Sequence, residues 1–118
     1  MKKFSNMVSE FSKKQNIFDF LQSINLSRDF NENGLSDYSL NIVLCKYPYY
    51  EGNQKLLLTF LGVRDFKLNH LDGLVKHYIN ITDVSDHQME GIRYKVKEEE
   101  NEVFSFYCRT FEYEILSY

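Results

Sequence analysis

The chain has 118 residues, 43% hydrophobic and 26% charged, with five glycines and one proline; this fits one compact domain, residues 1–118, and excludes a disordered or low-complexity tail. No apolar run approaches the roughly 18 residues of a transmembrane helix, and Lys2-Lys3 leads into no apolar signal segment, so a soluble cytoplasmic protein without membrane association is expected. The net charge of −3 is unevenly spread: residues 1–82 carry ten Lys/Arg against eight Asp/Glu and residues 83–118 four against nine, so the C-terminal third is acidic.

In chain order, residues 1–26 are predicted helical. Phe4, Met7, Val8 and Phe11 fall at i, i+3, i+4 and i+7, and Ile17, Phe20, Leu21 and Ile24 form a second stripe. Lys13 to Asn16 separate the two stripes, and Asn16 with Asp19 suits a second helix start, so a helix pair or one kinked helix is expected. Ser27 to Ser36, with Asn31, Asn33 and Gly34, is rich in turn formers and reads as a loop.

Residues 36–118 read as β-sheet. Tyr38, Leu40, Ile42 and Leu44 alternate with polar partners at period 2, and the strand ends near Tyr47 because Pro48 cannot donate to a ladder. Glu51-Gly52-Asn53 turns the chain into Lys55–Val63, an antiparallel partner whose run Leu56-Leu57-Leu58 predicts a central strand covered on both faces. Phe66 and Leu68 alternate after Gly62, and Val75, Ile79 and Ile81 alternate up to the polar turn Asp83–Gln88. Ile92, Tyr94 and Val96 alternate with Arg93, Lys95 and Lys97, a half-exposed strand with a basic outer face, and Glu98–Glu102 is the following hairpin tip. Phe104, Phe106 and Cys108 share one parity and Phe111, Tyr113 and Ile115 the other, which predicts a bulge or bend near Arg109-Thr110. The expected fold is α+β: an N-terminal helix or helix pair on a mainly antiparallel sheet of five to seven strands.

No pattern carries catalysis. His70, His77 and His87 lie near Asp65, Asp72, Asp83 and Asp86, but no HExxH-type spacing accompanies them, so metal and acid–base roles are not expected. Cys45 and Cys108 sit on predicted strands as small hydrophobes, and the five glycines are isolated, without a phosphate loop or nucleophile elbow. No catalytic residue, metal or cofactor is therefore expected. The lysines are scattered rather than striped, which argues against nucleic-acid binding.

Two surface features remain. Tyr47, Tyr49 and Tyr50 crowd Pro48, and Glu98, Glu99, Glu100 and Glu102 make an acidic tip. Tyrosines anchor interfaces and acidic groups steer basic partners, so these seven residues are the candidate partner contacts.

The segment Lys55–Val63, with Leu-Leu-Leu-Thr-Phe-Leu-Gly-Val running into Arg-Asp-Phe-Lys-Leu, resembles the strand core of small bacterial immunity-type proteins, the antidotes of polymorphic or contact-dependent toxins. Ile81–Val84, Glu90–Tyr94 and Phe104–Cys108 are similar to the same sort of uncharacterised β-rich single-domain proteins, so the likeness spans about residues 38–116. It implies an antidote to a cognate toxin and carries over no functional residue; with the acidic C-terminal third, the tyrosine cluster and the absent catalytic signature, the expectation is a non-enzymatic protein, monomer or homodimer, that neutralises a basic protein toxin by occlusion. Two alternatives stand beside it: a small enzyme or ligand-binding domain using His70, His77 or His87 with carboxylates, and a homo-oligomeric subunit paired through an edge strand such as Ile92–Lys97.

Overall fold

The computed structural model describes residues 2–18, 20–28, 30–31, 34–35, 37–46, 50, 52–69, 76–87, 90–100 and 102–116. The chain starts with α1 (Lys2–Gln15). Phe11, Gln15 and, past the helix end, Phe18 point into the core, with Val8 half-buried beside them; the side chains of Phe4 and Met7 lie outside the described set. The helix closes with tightened bonds from the Ile17 and Phe18 amides to the Lys14 and Gln15 carbonyls, at 3.0 and 3.1 Å. Lys13 and Lys14 lie in its last turn, where positive charge suits the carbonyl end.

The second helical segment expected before residue 26 is instead a strand, β1 (Phe20–Ser27). It pairs antiparallel with β4 (Tyr38–Cys45), after a two-residue ladder between β2 (Phe30–Asn31) and β3 (Gly34–Leu35). The register slips between Leu21 and Ser23, so Leu21 stands opposite Leu44 and Ile24 opposite Ile42, on one face. A bulge converts the strand's spacing of 2 into a spacing of 3, and that spacing imitates a helical stripe.

β5 (Lys55–Leu68) is followed by β6 (Ile79–Asp83), a 3₁₀ turn at Ser85–His87, β7 (Tyr94–Glu98), β8 (Phe104–Cys108) and β9 (Thr110–Leu116). Seven strands form one antiparallel sheet in the order β1-β4-β5-β8-β7-β6, with β9 also on β5. The expected α+β class holds: one short helix packed on an antiparallel seven-stranded sheet. No helix among the described residues is long and apolar enough to cross a membrane.

β5 is central, with β4 on one side and β9 then β8 on the other. Its cover is one-sided, contrary to the expectation: Leu56, Leu58 and Phe60 are buried, whereas Leu57 and Thr59 are half-buried and Leu61 is exposed. Strand β7 is not an edge, because β6 and β8 pair with it on both sides; self-pairing through Ile92–Lys97 has no free ladder to use.

The expected bend near Arg109 is present and is shared by two strands. β9 continues β8 after Arg109 and runs along the first half of β5, while β8 runs along the second half. Across the bend the Arg109 amide donates to the Leu61 carbonyl at 2.9 Å. Gly62 takes φ +70°, and a Cβ there would stand 2.9 Å from the Arg109 Cβ, so both backbone sign and space require glycine. Folding the sheet here gathers Phe60 and Phe106, with ring centroids 4.9 Å apart and nearly perpendicular, and Tyr94 and Phe111 at 5.1 Å. Edge-to-face pairs of this kind contribute about 0.5–1.5 kcal/mol each beyond their burial.

Candidate partner-binding surface

The C-terminal turn of α1 organises one end of the molecule. Gln15 is buried, and its amide pairs with the backbone of Ile79 on the outer edge of β6: Nε2 donates to the carbonyl at 2.7 Å and Oε1 accepts from the amide at 2.8 Å. The side chain thus supplies what a neighbouring strand would. Close by, Phe20 at the start of β1 bridges antiparallel to Lys76, just before β6.

The chain on either side of this turn lines two hollows. On one side Ile17 and Phe18 face Lys46, Gly52, Asn53 and Gln54 around about 340 Å³. On the other, Gln15 and Asn16 face Lys76, His77, Tyr78 and Glu100 around about 210 Å³. Ile17, Tyr50 and Tyr78 are exposed at 57, 66 and 36%, so three large apolar or amphipathic side chains stand free at this end. Tyr50 is held by the bond from the Asn53 amide to its carbonyl at 3.0 Å.

The two sequence features border different hollows beside this turn. Tyr50 belongs to the first hollow's loop, and the β7–β8 tip reaches the second through Glu100. Tyr47 and Tyr49 lie outside the described residues. Glu99, Glu100 and Glu102 are exposed, and Glu99 Oε1 accepts from Asn80 Nδ2 at 2.7 Å.

Glu98 is different and leaves the list of surface contacts. It is 0% exposed and ends the inward parity Tyr94, Val96, Glu98 of β7. Its carboxylate accepts the amides of Tyr78 at 3.0 Å, Glu100 at 2.8 Å and Val103 at 3.1 Å. A buried carboxylate needs such donors, and here they fix the shape of the tip that presents Glu99 and Glu100. The alternation with Tyr94 and Val96 was the sequence signal for its burial.

The histidines do not assemble. His70 and the side chain of His87 lie outside the described set, and His77 is half-buried beside the second hollow. Asp83 lies at the far end of β6 from His77, about 20 Å along an extended chain, and is engaged by the Ser85 hydroxyl and amide and by Arg93. Those bonds, the Ser85 ones first, lower its pKa. Among the described residues no group of His, Cys, Asp and Glu is placed to hold a metal ion. Cys108 is fully buried, and desolvation pushes its thiol up to about 12, the opposite of an activated nucleophile.

Outer faces carry a charge pattern that the sequence reading missed. The register sets Arg64 beside Tyr107 and Lys95, and Lys67 beside Ser105 and Lys97, so four exposed cations share the outer face of the β5–β8–β7 half. Lys95 Nζ lies 5.6 Å from the Tyr107 ring centre. On the other half, Glu112 stands opposite Thr59 and Glu114 opposite Leu57, both acids exposed. The lysines are scattered along the chain but gathered by the ladder.

A protein-family profile described as Immunity protein PIM8 matches residues 3–114. No curated protein and no solved structure matches significantly.

Proposed function

We propose, since the chain belongs to the PIM8 family of immunity proteins, that it neutralises a cognate protein toxin by binding it and occluding its working surface. Membership spans nearly the whole chain and is the observation that carries the reading: an immunity function implies a toxin partner, and such proteins are typically non-enzymatic. The end of the molecule around the α1 exit supports a contact role. Exposed Ile17, Tyr50 and Tyr78 offer amphipathic anchors, and Glu99, Glu100 and Glu102 supply the negative rim that steers a basic partner. Tyr47 and Tyr49 extend the same proposal by their place in the chain.

The test pairs this chain with the toxin domain encoded beside its own gene. Co-expression should restore growth, and binding should be measurable with the purified pair. Glu99→Lys/Glu100→Lys/Glu102→Lys should slow association about tenfold at low salt, with the effect shrinking as salt rises. An unchanged association rate would remove the steering role; a toxin left fully active by a bound immunity protein would remove occlusion.

A further inference from the structure

Of the sheet's outer strands, β9 is the one whose second side meets no ladder and no side-chain substitute among the described residues. β6 has Gln15 on Ile79, and β1 has the bridge to Lys76. β9 pairs with β5 alone. Its links to α1 are made by its inward residues: the Phe111 ring lies 6.4 Å from Phe11, and the Tyr113 hydroxyl donates to Glu10 at 2.8 Å. The outward residues Glu112 and Glu114 are exposed and line a hollow of about 200 Å³ with Leu57, Thr59 and Tyr113.

An open strand is a pairing hazard, and proteins blunt it with Lys, Pro or a bulge. Thr-Phe-Glu-Tyr-Glu-Ile-Leu has no Lys or Pro, and its ladder to β5 runs without a slip from Thr110 to Leu116. Its guard is charge of one sign. If two copies paired antiparallel through β9, centred near Tyr113, Glu112 of one copy would face Glu114 of the other on the same sheet face. Like charges directly opposite disfavour that pair. A strand carrying Lys or Arg at those positions meets attraction instead.

We propose that β9 receives an extended, basic segment of the toxin. Its backbone continues the sheet, and its Lys or Arg side chains, two residues apart on the outer face, pair with Glu112 and Glu114, their aliphatic stems lying toward the hollow over Leu57 and Thr59. The proposal rests on the immunity reading and names the chemistry of the partner. The strand also runs from the end already described: its last residue, Leu116, stands opposite Lys55, next to Gln54 of the first hollow. One partner can therefore anchor at the α1 exit and lay a strand along the acidic edge.

The experiment uses the full chain and the neighbouring toxin domain. Hydrogen exchange of the wild-type complex should slow at residues 110–116 relative to the unbound protein, and Glu112→Lys/Glu114→Lys, folded by circular dichroism, should raise Kd at least tenfold. Exchange at 110–116 unchanged on binding, or a Kd within twofold of wild type, would overturn this proposal while leaving the immunity reading intact. A wild-type chain that does not bind the toxin at all would overturn both. Sedimentation of the unbound chain should show a monomer; a concentration-dependent oligomer abolished by the same double substitution would assign the edge to a second copy, docking head-to-tail through the basic outer face, and would also overturn it.

Discussion

β6 and β9 are both outer strands of one sheet, and both are met by α1, but the helix treats them by different means. At β6 a buried amide, Gln15, gives the strand a donor and an acceptor in place of a missing neighbour. At β9 the helix offers ring contacts from Phe11 and one peripheral acceptor, the Glu10 carboxylate that takes the Tyr113 hydroxyl, which leave the second side of the strand without a pairing group among the described residues. Edge protection and edge availability are therefore separable within one fold. A covered edge is a stability device, whereas an edge guarded by charge alone discriminates among partners by sign.

The largest effect should come from breaking the covered edge. Gln15→Ala removes both partners from the buried amide and carbonyl of Ile79, which costs about 2–6 kcal/mol at 1–3 kcal/mol per orphaned group. Chemical denaturation should show that loss, with faster exchange at Ile79 before global unfolding. A loss below about 0.5 kcal/mol would mean that water replaces the amide, and the two edges would then differ less than their geometry suggests.

Gln15 also shows where the sequence was readable and where it was not. The period-2 runs of β4, β5 and β7 and the parity change before β9 were legible, because burial on one sheet face writes itself directly into alternation. β1 was not, because the slip after Leu21 places Leu21 and Ile24 on one face at helical spacing. Gln15 extends the α1 stripe four positions past Phe11, but a polar residue on an apolar stripe has no assigned partner until β6 is in place. Glu98 suffered the opposite error, since four glutamates in five residues read as a solvated tip when one of them belongs to the core parity. The exposed side chains at the α1 exit share no sequence pattern at all; Ile17, Tyr50 and Tyr78 become neighbours of one turn only through the fold.

An intermediate effect should follow at the bend that sends β8 and β9 to different halves of β5. Gly62→Ala places a Cβ 2.9 Å from the Arg109 Cβ and holds a non-glycine residue at φ +70°. Left-handed strain of about 1–2 kcal/mol plus the displacement of Arg109 gives a loss of roughly 2 kcal/mol. A thermal melt with Tm within 1 °C of wild type, where about 1 kcal/mol is worth several degrees for a domain of this size, would show that the two halves of the sheet bend without help from this glycine.

The smallest effect tests the link between α1 and β9. Tyr113→Phe keeps the ring against Phe11 and removes only the bond to Glu10, so about 0.5–1 kcal/mol should be lost near neutral pH. The pH dependence is more diagnostic. Burial, then the bond to Glu10 and its negative charge, push the Tyr113 hydroxyl from 10.0 up to about 12. The folded state therefore holds this proton more tightly than the unfolded chain, so the contribution is complete below pH 10.0 and is lost as pH rises toward about 12. Wild type should lose stability more steeply than Tyr113→Phe across that window, and the gap between them should close. Parallel losses in the two proteins would mean that the hydroxyl titrates as it does in the unfolded chain, and that β9 is tied to the helix by ring packing alone.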